Sequence, residues 1–360
     1  MSARFNRFVA DATLGIDTLW GGDVMNPSGT GRFIADSWCS DEPLPRAYTH
    51  PTAARLRETG GVSSKVPDRP AIEAYLAAVD IPGAVAGLRE EARTMPDLRR
   101  DYVTGLALCF DVMWELALEI LGQGPPVPYE RCVRASCGHD PVPSDPSAKR
   151  ARVAELLAQV GHPSRSGAEL LAAVDAWRRA RMVPMQSVRA LGEAFIAQYD
   201  RLSERNLVPY LPEPMRAVPR ANIRFLPIQD AWFSGSMNYL GRARKPDGSP
   251  EFEATYEINA SLAISIPEFA QLVSHEVVPG HVTTFAYFQD LYVRGQVGFE
   301  ATVQTMNTRG AALAEGIANN ALLIAHGVTA IEELPDEDLQ LGVLLALLQD
   351  DAKNQSSYLT

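Results

Sequence analysis

The chain has 360 residues, 46% of them hydrophobic, which is ample for burial and long for a single core, so two lobes are expected. A formal charge of -11 leaves no basic face for a phosphate backbone and argues against nucleic acid as a partner. Four cysteines are too few for a disulfide scaffold at this length and read as reduced thiols.

The first thirty residues contain no apolar core of signal-peptide length ending in a small-residue cleavage site, so a cytoplasmic protein without a membrane partner is expected. Helical periodicity dominates up to residue 205, in RPAIEAYLAAVDIPGAVAGLREEARTM, YVTGLALCFDVMWELALEILG, AKRARVAELLAQVG and GAELLAAVDAWRRARMV. The second of these is long and apolar, but Asp111, Glu115 and Glu119 recur at steps of four, the solvated acidic stripe of a soluble amphipathic helix. In RCVRASCGHD, Cys132, Cys137 and His139 are three zinc-type ligands, yet the five-residue step and the missing fourth ligand argue against a structural zinc.

The Pro-rich stretch NLVPYLPEPMRAVPR reads as a boundary, giving a helical lobe over 1–205 and a second lobe over 206–360. Strand-like runs follow in ANIRFLPI and FEATYEIN, the latter preceded by the turn RKPDGSPE. Helix resumes at SIPEFAQLVSHEV, where Ser265 as N-cap, Pro267 in the first turn and Glu268 predict a capping box. The class is therefore mostly α with a small β-sheet. No G-x-S-x-G elbow and no phosphate-binding Walker sequence is present.

The chemistry concentrates in His275-Glu276-Val277-Val278-Pro279-Gly280-His281. On an unbroken helix a step of six turns the second histidine roughly 240° away and lifts it about 9 Å, so the two imidazoles cannot share an ion. Pro279 and Gly280 are the residue types that interrupt a helix, and the motif predicts a break between Val278 and His281 that returns both rings to one point. A hydrolytic zinc needs neutral imidazoles, a carboxylate, an open position and a free acid to take a proton from water. His275 and His281 supply the first, and Glu276, on a different radius from His275, supplies the last. Glu315, a carboxylate among Ala311, Ala312, Ala314 and Ala318 in an apolar helical segment closed by Gly327, is the expected third ligand, because such an acid is costly unless paired or coordinated.

The string H-E-x-x-P-G-H, followed some thirty residues later by A-E-G-x-A, resembles the bacterial family grouped as domain of unknown function 885, which is similar to zinc metallopeptidases of the gluzincin type. SMNYLGRARKPDGSPEFEATYEINA resembles the same family's tyrosine, Gly/Pro turn and asparagine-ended strand, so the likeness runs from about residue 222 to 320. It implies a zincin-like helical metallohydrolase with a small sheet beside the cleft, His275, His281 and Glu315 as zinc ligands, Glu276 as base, and Tyr239, from the family-like strand, as oxyanion donor. The chain departs from the family's pattern at Val282, Ile317 and Asn320, where a histidine, a tryptophan and a tyrosine are usual. Members also continue well past the glutamate helix, so a piece of a longer protein is expected.

The function these residues predict is zinc-dependent hydrolysis of an amide bond in a peptide or small-molecule substrate. One alternative keeps zinc but takes a small non-peptide amide or biosynthetic intermediate, and another is an inactive zincin-like binding or scaffold protein. FEATYEIN either offers an edge to an extended substrate by strand addition or is a surface hairpin that only supports the helix.

Overall fold

The fold is given by a computed structural model that describes residues 3–20, 37–40, 44, 49, 51, 69–164, 167–228, 235–259, 263–302 and 305–359. It is mostly helical, with one small mixed sheet of three strands. Contacts divide the chain into two compact units, Met1–Pro141 with Tyr239–Glu251 and Phe288–Leu313, and Val142–Asn238 with Phe252–Tyr287 and Ala314–Thr360. The division is thus not a single cut at residue 205. The change from helical to strand-like pattern near 206 marks a change of local structure inside one core, whereas core membership passes back and forth along the chain.

The first unit holds α1 (Ala3–Trp20), α2 (Arg69–Ala78), α3 (Ile81–Ala92), α4 (Asp97–Ile120) and α5 (Tyr129–Cys137). Its core joins Phe5 and Val9 of α1 with Ile72 and Tyr75 of α2, Val85 of α3, and Phe110 of α4. As one segment Arg69–Ala92 is long and apolar enough to cross a membrane. It is two helices, because the Asp80 carboxylate accepts the Gly83 N–H at 3.1 Å and Pro82 sits in the first turn, which together start α3 afresh. The acidic stripe of α4 is tied down within the unit: Asp111 pairs with Arg89, Glu115 with Arg131 at 2.7 Å, and Glu119 accepts the Val127 N–H at 2.8 Å. Glu300, buried, takes a two-point ion pair from Arg99 at 2.6 and 3.0 Å. Cys39, Cys109, Cys132 and Cys137 are all free thiols.

The second unit holds α6 (Ser147–Gln159), α7 (Gly167–Ala180), α8 (Val188–Asn206), β1 (Ile223–Ile228), β3 (Ala254–Asn259), α9 (Ile266–Glu276), α12 (Ala321–His326) and α13 (Glu337–Leu359). Three elements, β2 (Gly235–Tyr239), α10 (His281–Val293) and α11 (Arg309–Asn319), contribute residues to both units. The sheet order is β1-β3-β2, with β1 and β3 parallel from Ile223↔Ala254 to Ile228↔Asn259. β3 is therefore the central strand. That corrects both expectations for FEATYEIN, since a strand with neighbours on each side is neither a free edge nor a surface hairpin. The alternation that identifies a strand carries its two faces but not its neighbours, and β2, whose GSMNY has no clear alternation, supplies the second neighbour.

α9 carries the metal motif, and its start is fixed from several sides. Ser265 Oγ accepts the Glu268 N–H at 3.4 Å, as the capping signature predicts. The reciprocal half differs: the Glu268 carboxylate accepts the Ser265 hydroxyl at 2.7 Å and the Arg178 guanidinium at 2.6 Å. α13 crosses α9 so closely that a Cβ on Gly342 would lie 2.7 Å from the Pro267 carbonyl oxygen. Asp338 at the start of α13 accepts from Trp177 Nε1 at 2.8 Å and Arg181 at 2.7 Å, while Leu341 and Leu344 pack with Val153, Leu156, Leu157 and Trp177. The apolar segment expected as one helix closed by Gly327 is two, α11 and α12, with Asn320 (φ -97°, ψ 4°) between them, and Gly327 (φ 70°) closes the second.

Gly342→Ala is expected to cost about 1–3 kcal/mol by forcing α13 away from Pro267, read as a fall in the urea midpoint at unchanged slope.

Candidate metal centre

α9 ends at Glu276 and α10 begins at His281. The four residues between carry a cis Val278–Pro279 bond and fold the chain back on the end of α9, with Gly280 N–H donating to Ser274 O at 3.1 Å and Thr283 N–H to Val277 O at 3.2 Å. Gly280 lies against the helix end: a Cβ there would sit 1.8 Å from the His275 carbonyl oxygen, so only glycine fits. Thr283 Oγ1 donates to the Arg220 carbonyl at 2.8 Å and holds the first turn of α10. The break predicted from Pro279 and Gly280 is present, and the two rings meet, with centroids 4.7 Å apart and planes at 89°.

The third group arrives from α11. Glu315 Oε2 is 3.4 Å from His275 Nε2 and Oε1 is 3.3 Å from His281 Nε2. One donor atom from each of the three residues lies within 4.8 Å of the others, and among the described residues this is the one cluster of three or more His, Cys, Asp or Glu side chains with such geometry. Tetrahedral zinc with bonds of about 2.0–2.1 Å separates its ligand atoms by about 3.3–3.4 Å. The two imidazole–carboxylate separations match that spacing, and a set of two imidazoles and one carboxylate would leave a fourth position open for water. The Glu315 side chain is 50% exposed against 18% and 12% for the histidines, so the carboxylate side is the open one.

The two acids are driven in opposite directions. Hydrogen bonds from His275 and then His281 hold the Glu315 carboxyl well below the usual carboxylate range, outweighing its partial burial. Burial raises Glu276, and the nearby histidines offset this only in part. A backbone N–H from Met237 of β2 also reaches the Glu276 carboxylate. For His275, burial acts to lower the pKa, but the hydrogen bond to Glu315 and the charges of Glu276 and Glu315 prevail and it is raised. The Asn319 side chain, one turn beyond Glu315 on α11, also hydrogen-bonds the His275 ring.

No family model, curated protein or solved structure matches the chain.

Of the residues singled out in the sequence, His275, His281 and Glu315 come together and Glu276 adjoins them. Tyr239 lies in the first unit, 1% exposed, where its hydroxyl donates to Gln289 Oε1 at 2.5 Å and Gln289 in turn donates to the Gly241 carbonyl at 2.8 Å. Its one proton is committed there, and burial, with the Cys39 thiol beside it, pushes the phenol's pKa well up. Cys132, Cys137 and His139 form no such cluster. Val282 is fully buried in α10, and Asn320 turns its amide onto the Gly316 carbonyl at 2.8 Å. Met237 and Asn319 are contacts that the sequence reading missed. The signal for Asn319 was its four-residue step from Glu315, whereas nothing local marks Met237.

Metal binding requires His275 without its second proton. Because the His275 pKa is raised, protons compete from higher pH than at a free imidazole, and affinity is lost as pH falls through that raised value. Glu315, held low, stays ionised throughout. Zinc isotherms are expected to be flat on the alkaline side and to weaken toward acid by about tenfold per pH unit for each proton displaced, starting above the ordinary imidazole pKa of about 6.5. A midpoint at or below that value would contradict the geometry.

Proposed function

We propose that the chain is a zinc-dependent hydrolase of an amide bond, with His275, His281 and Glu315 as metal ligands and Glu276 as the proton acceptor. The observation that carries this reading is the convergence of two imidazoles on one carboxylate, each 3.3–3.4 Å from one of its oxygens and all three donor groups within 4.8 Å, with a second acid next in sequence to one proposed ligand. Bound zinc supplies a Lewis acid and lowers the pKa of water to about 7. Glu276, its pKa raised by burial, takes a proton from the attacking water and delivers it to the leaving nitrogen. The Met237 N–H fixes one side of its carboxylate while that transfer takes place. The same residues support the resemblance to the domain of unknown function 885 family and its gluzincin-type architecture.

The substrate reading turns on the sheet. β3, paired on both sides, presents no edge to an extended chain, and with it goes the main reason for preferring a peptide. A compact amide is the reading we favour. A peptide keeps one specific support: β2 is an outer strand among the described residues, and its Met237 backbone touches Glu276, so main chain able to pair with a substrate passes the acid.

Glu276→Gln is expected to retain zinc while turnover falls by at least about a hundredfold, the usual scale of general-base catalysis. His275→Ala, His281→Ala and Glu315→Ala are expected to lose metal as well as activity, measured by metal content after dialysis. Full turnover in Glu276→Gln would place the base elsewhere. Amides of graded length separate the two substrates: kcat/KM independent of length is expected for a compact substrate, while a steady rise with added residues would favour the peptide.

A further inference from the structure

We infer that the outer edge of β1, with the groove that α8 forms beside it, takes up a short extended polypeptide segment as an added strand. The inference does not depend on a metal. In the order β1-β3-β2 this strand lies at the edge of the sheet opposite β2.

The direction of the backbone groups follows from one bond. The Ala254 N–H donates to the Asn222 carbonyl at 2.9 Å, and β1 and β3 run parallel from Ile223↔Ala254 onward. Along such a ladder alternate residues face the partner strand, so Arg224, Leu226 and Ile228 pair with β3 while Ile223 and Phe225 turn their N–H and C=O groups away from it. Among the described residues no hydrogen bond reaches those outward groups. Residue 227, next in that series, is a proline and has no N–H to offer, so paired donors and acceptors are presented at Ile223 and Phe225 only.

α8 forms a wall along this edge. Gly192 lets the helix down onto the strand, since a Cβ there would lie 2.7 Å from Phe225 Cζ. Beside that contact a hollow of about 560 Å³ opens between Ile196 and Ala197 of the helix and Ile223 and Leu226 of the strand. A second hollow, of about 530 Å³, shares Asp200 and Ala221 with the first and continues to Glu204 and Arg220. Together they follow α8 from Arg189 to Glu204, a run of about 22 Å. An extended chain covers that length with about six or seven residues. The middle of the groove is small and apolar at Ile196, Ala197 and Ala221, and the charges toward its ends are paired within the chain. Arg189 meets Glu193 at 2.8 Å, and Arg220 meets Asp200 at 2.8 Å and Glu204 at 2.6 Å. Such a groove selects main chain, with an apolar side chain at its centre, over a charged ligand. The wall also decides against a second copy of this chain, because a facing β1 would bring its own α8 into the space beside the edge.

The experiment presents the full chain to a displayed library of random peptides of about seven residues and then uses the selected peptides as synthetic ligands. Binding is compared for wild type, for Ala197→Arg, which fills the groove from an exposed helix position, and for Ala194→Arg, an exposed position of the same helix outside the groove. Selected peptides are expected to bind wild type and Ala194→Arg alike, to lose binding to Ala197→Arg, and to shift the backbone amide resonances of Ile223 and Phe225. Two N-methylated forms of each peptide separate main-chain pairing from side-chain contact. Methylating the alternate residues that donate to the Ile223 and Phe225 carbonyls is expected to weaken binding at least about fivefold, the low end for two hydrogen bonds, whereas methylating the intervening residues leaves it within about twofold. The inference is overturned if no selected peptide responds to Ala197→Arg, if the two methylated forms behave alike, or if the shifts fall on β2 in place of β1. A dimer of the unliganded chain that Ala197→Arg dissociates would overturn it as well, because a second copy would then hold the edge.

Discussion

The centre depends on one close approach, that of Gly280 to the carbonyl of His275. Two histidines six residues apart cannot converge along a helix, so the register has to be reset between them. Four residues do this by turning the chain back over the end of α9, and the turn closes only because position 280 carries no Cβ. The Ser274 and Val277 carbonyls, freed at the end of α9, accept N–H groups from Gly280 and Thr283. The break therefore leaves these polar groups satisfied in a buried place, where an unmade hydrogen bond would cost about 1–3 kcal/mol.

Once the imidazoles meet, the electrostatics follow from who touches whom. Glu315 has a ring nitrogen near each of its oxygens, and its charge is stabilised by both. Glu276 is adjacent in sequence to a ligand yet has a different surrounding, with a single backbone N–H and burial that disfavours its charge. Two carboxyl groups of the same chemical kind are thus driven apart in basicity by environment alone, one lowered and one raised. The proposed division of labour between ligand and base requires no difference in residue type.

The clustering of His275, His281 and Glu315 was legible because the information about it is local. A helix cap at Ser265, a breaker pair before His281, and an acid surrounded by alanines each speak about positions within a few residues of one another. The sheet was legible only in part. The runs that became β1 and β3 have strand composition, but which strand lies in the middle depends on pairing across some thirty residues, and no local pattern contains it. The interleaving of the units was hidden for a similar reason: residues 142–205 have the same helical periodicity as those before them, and periodicity records a buried face without saying which core buries it. Asn320 interrupts an apolar segment that reads as continuous, since asparagine within a helical run is tolerated as often as it ends one.

The three proposed ligands sit on three helices, and each helix is anchored by contacts that use no ligand side chain. α9 is held by Arg178 at its cap and by α13 at Gly342, α10 by Thr283 on the Arg220 carbonyl, and α11 by its carbonyl bond from Gln271. None of these contacts uses a ligand side chain. Ligand positions set by independent supports do not have to be assembled by the ion, so the ordering cost that a metal meets at a loose site is largely met by folding. The position of the donors is decided at the helix ends and crossings behind them.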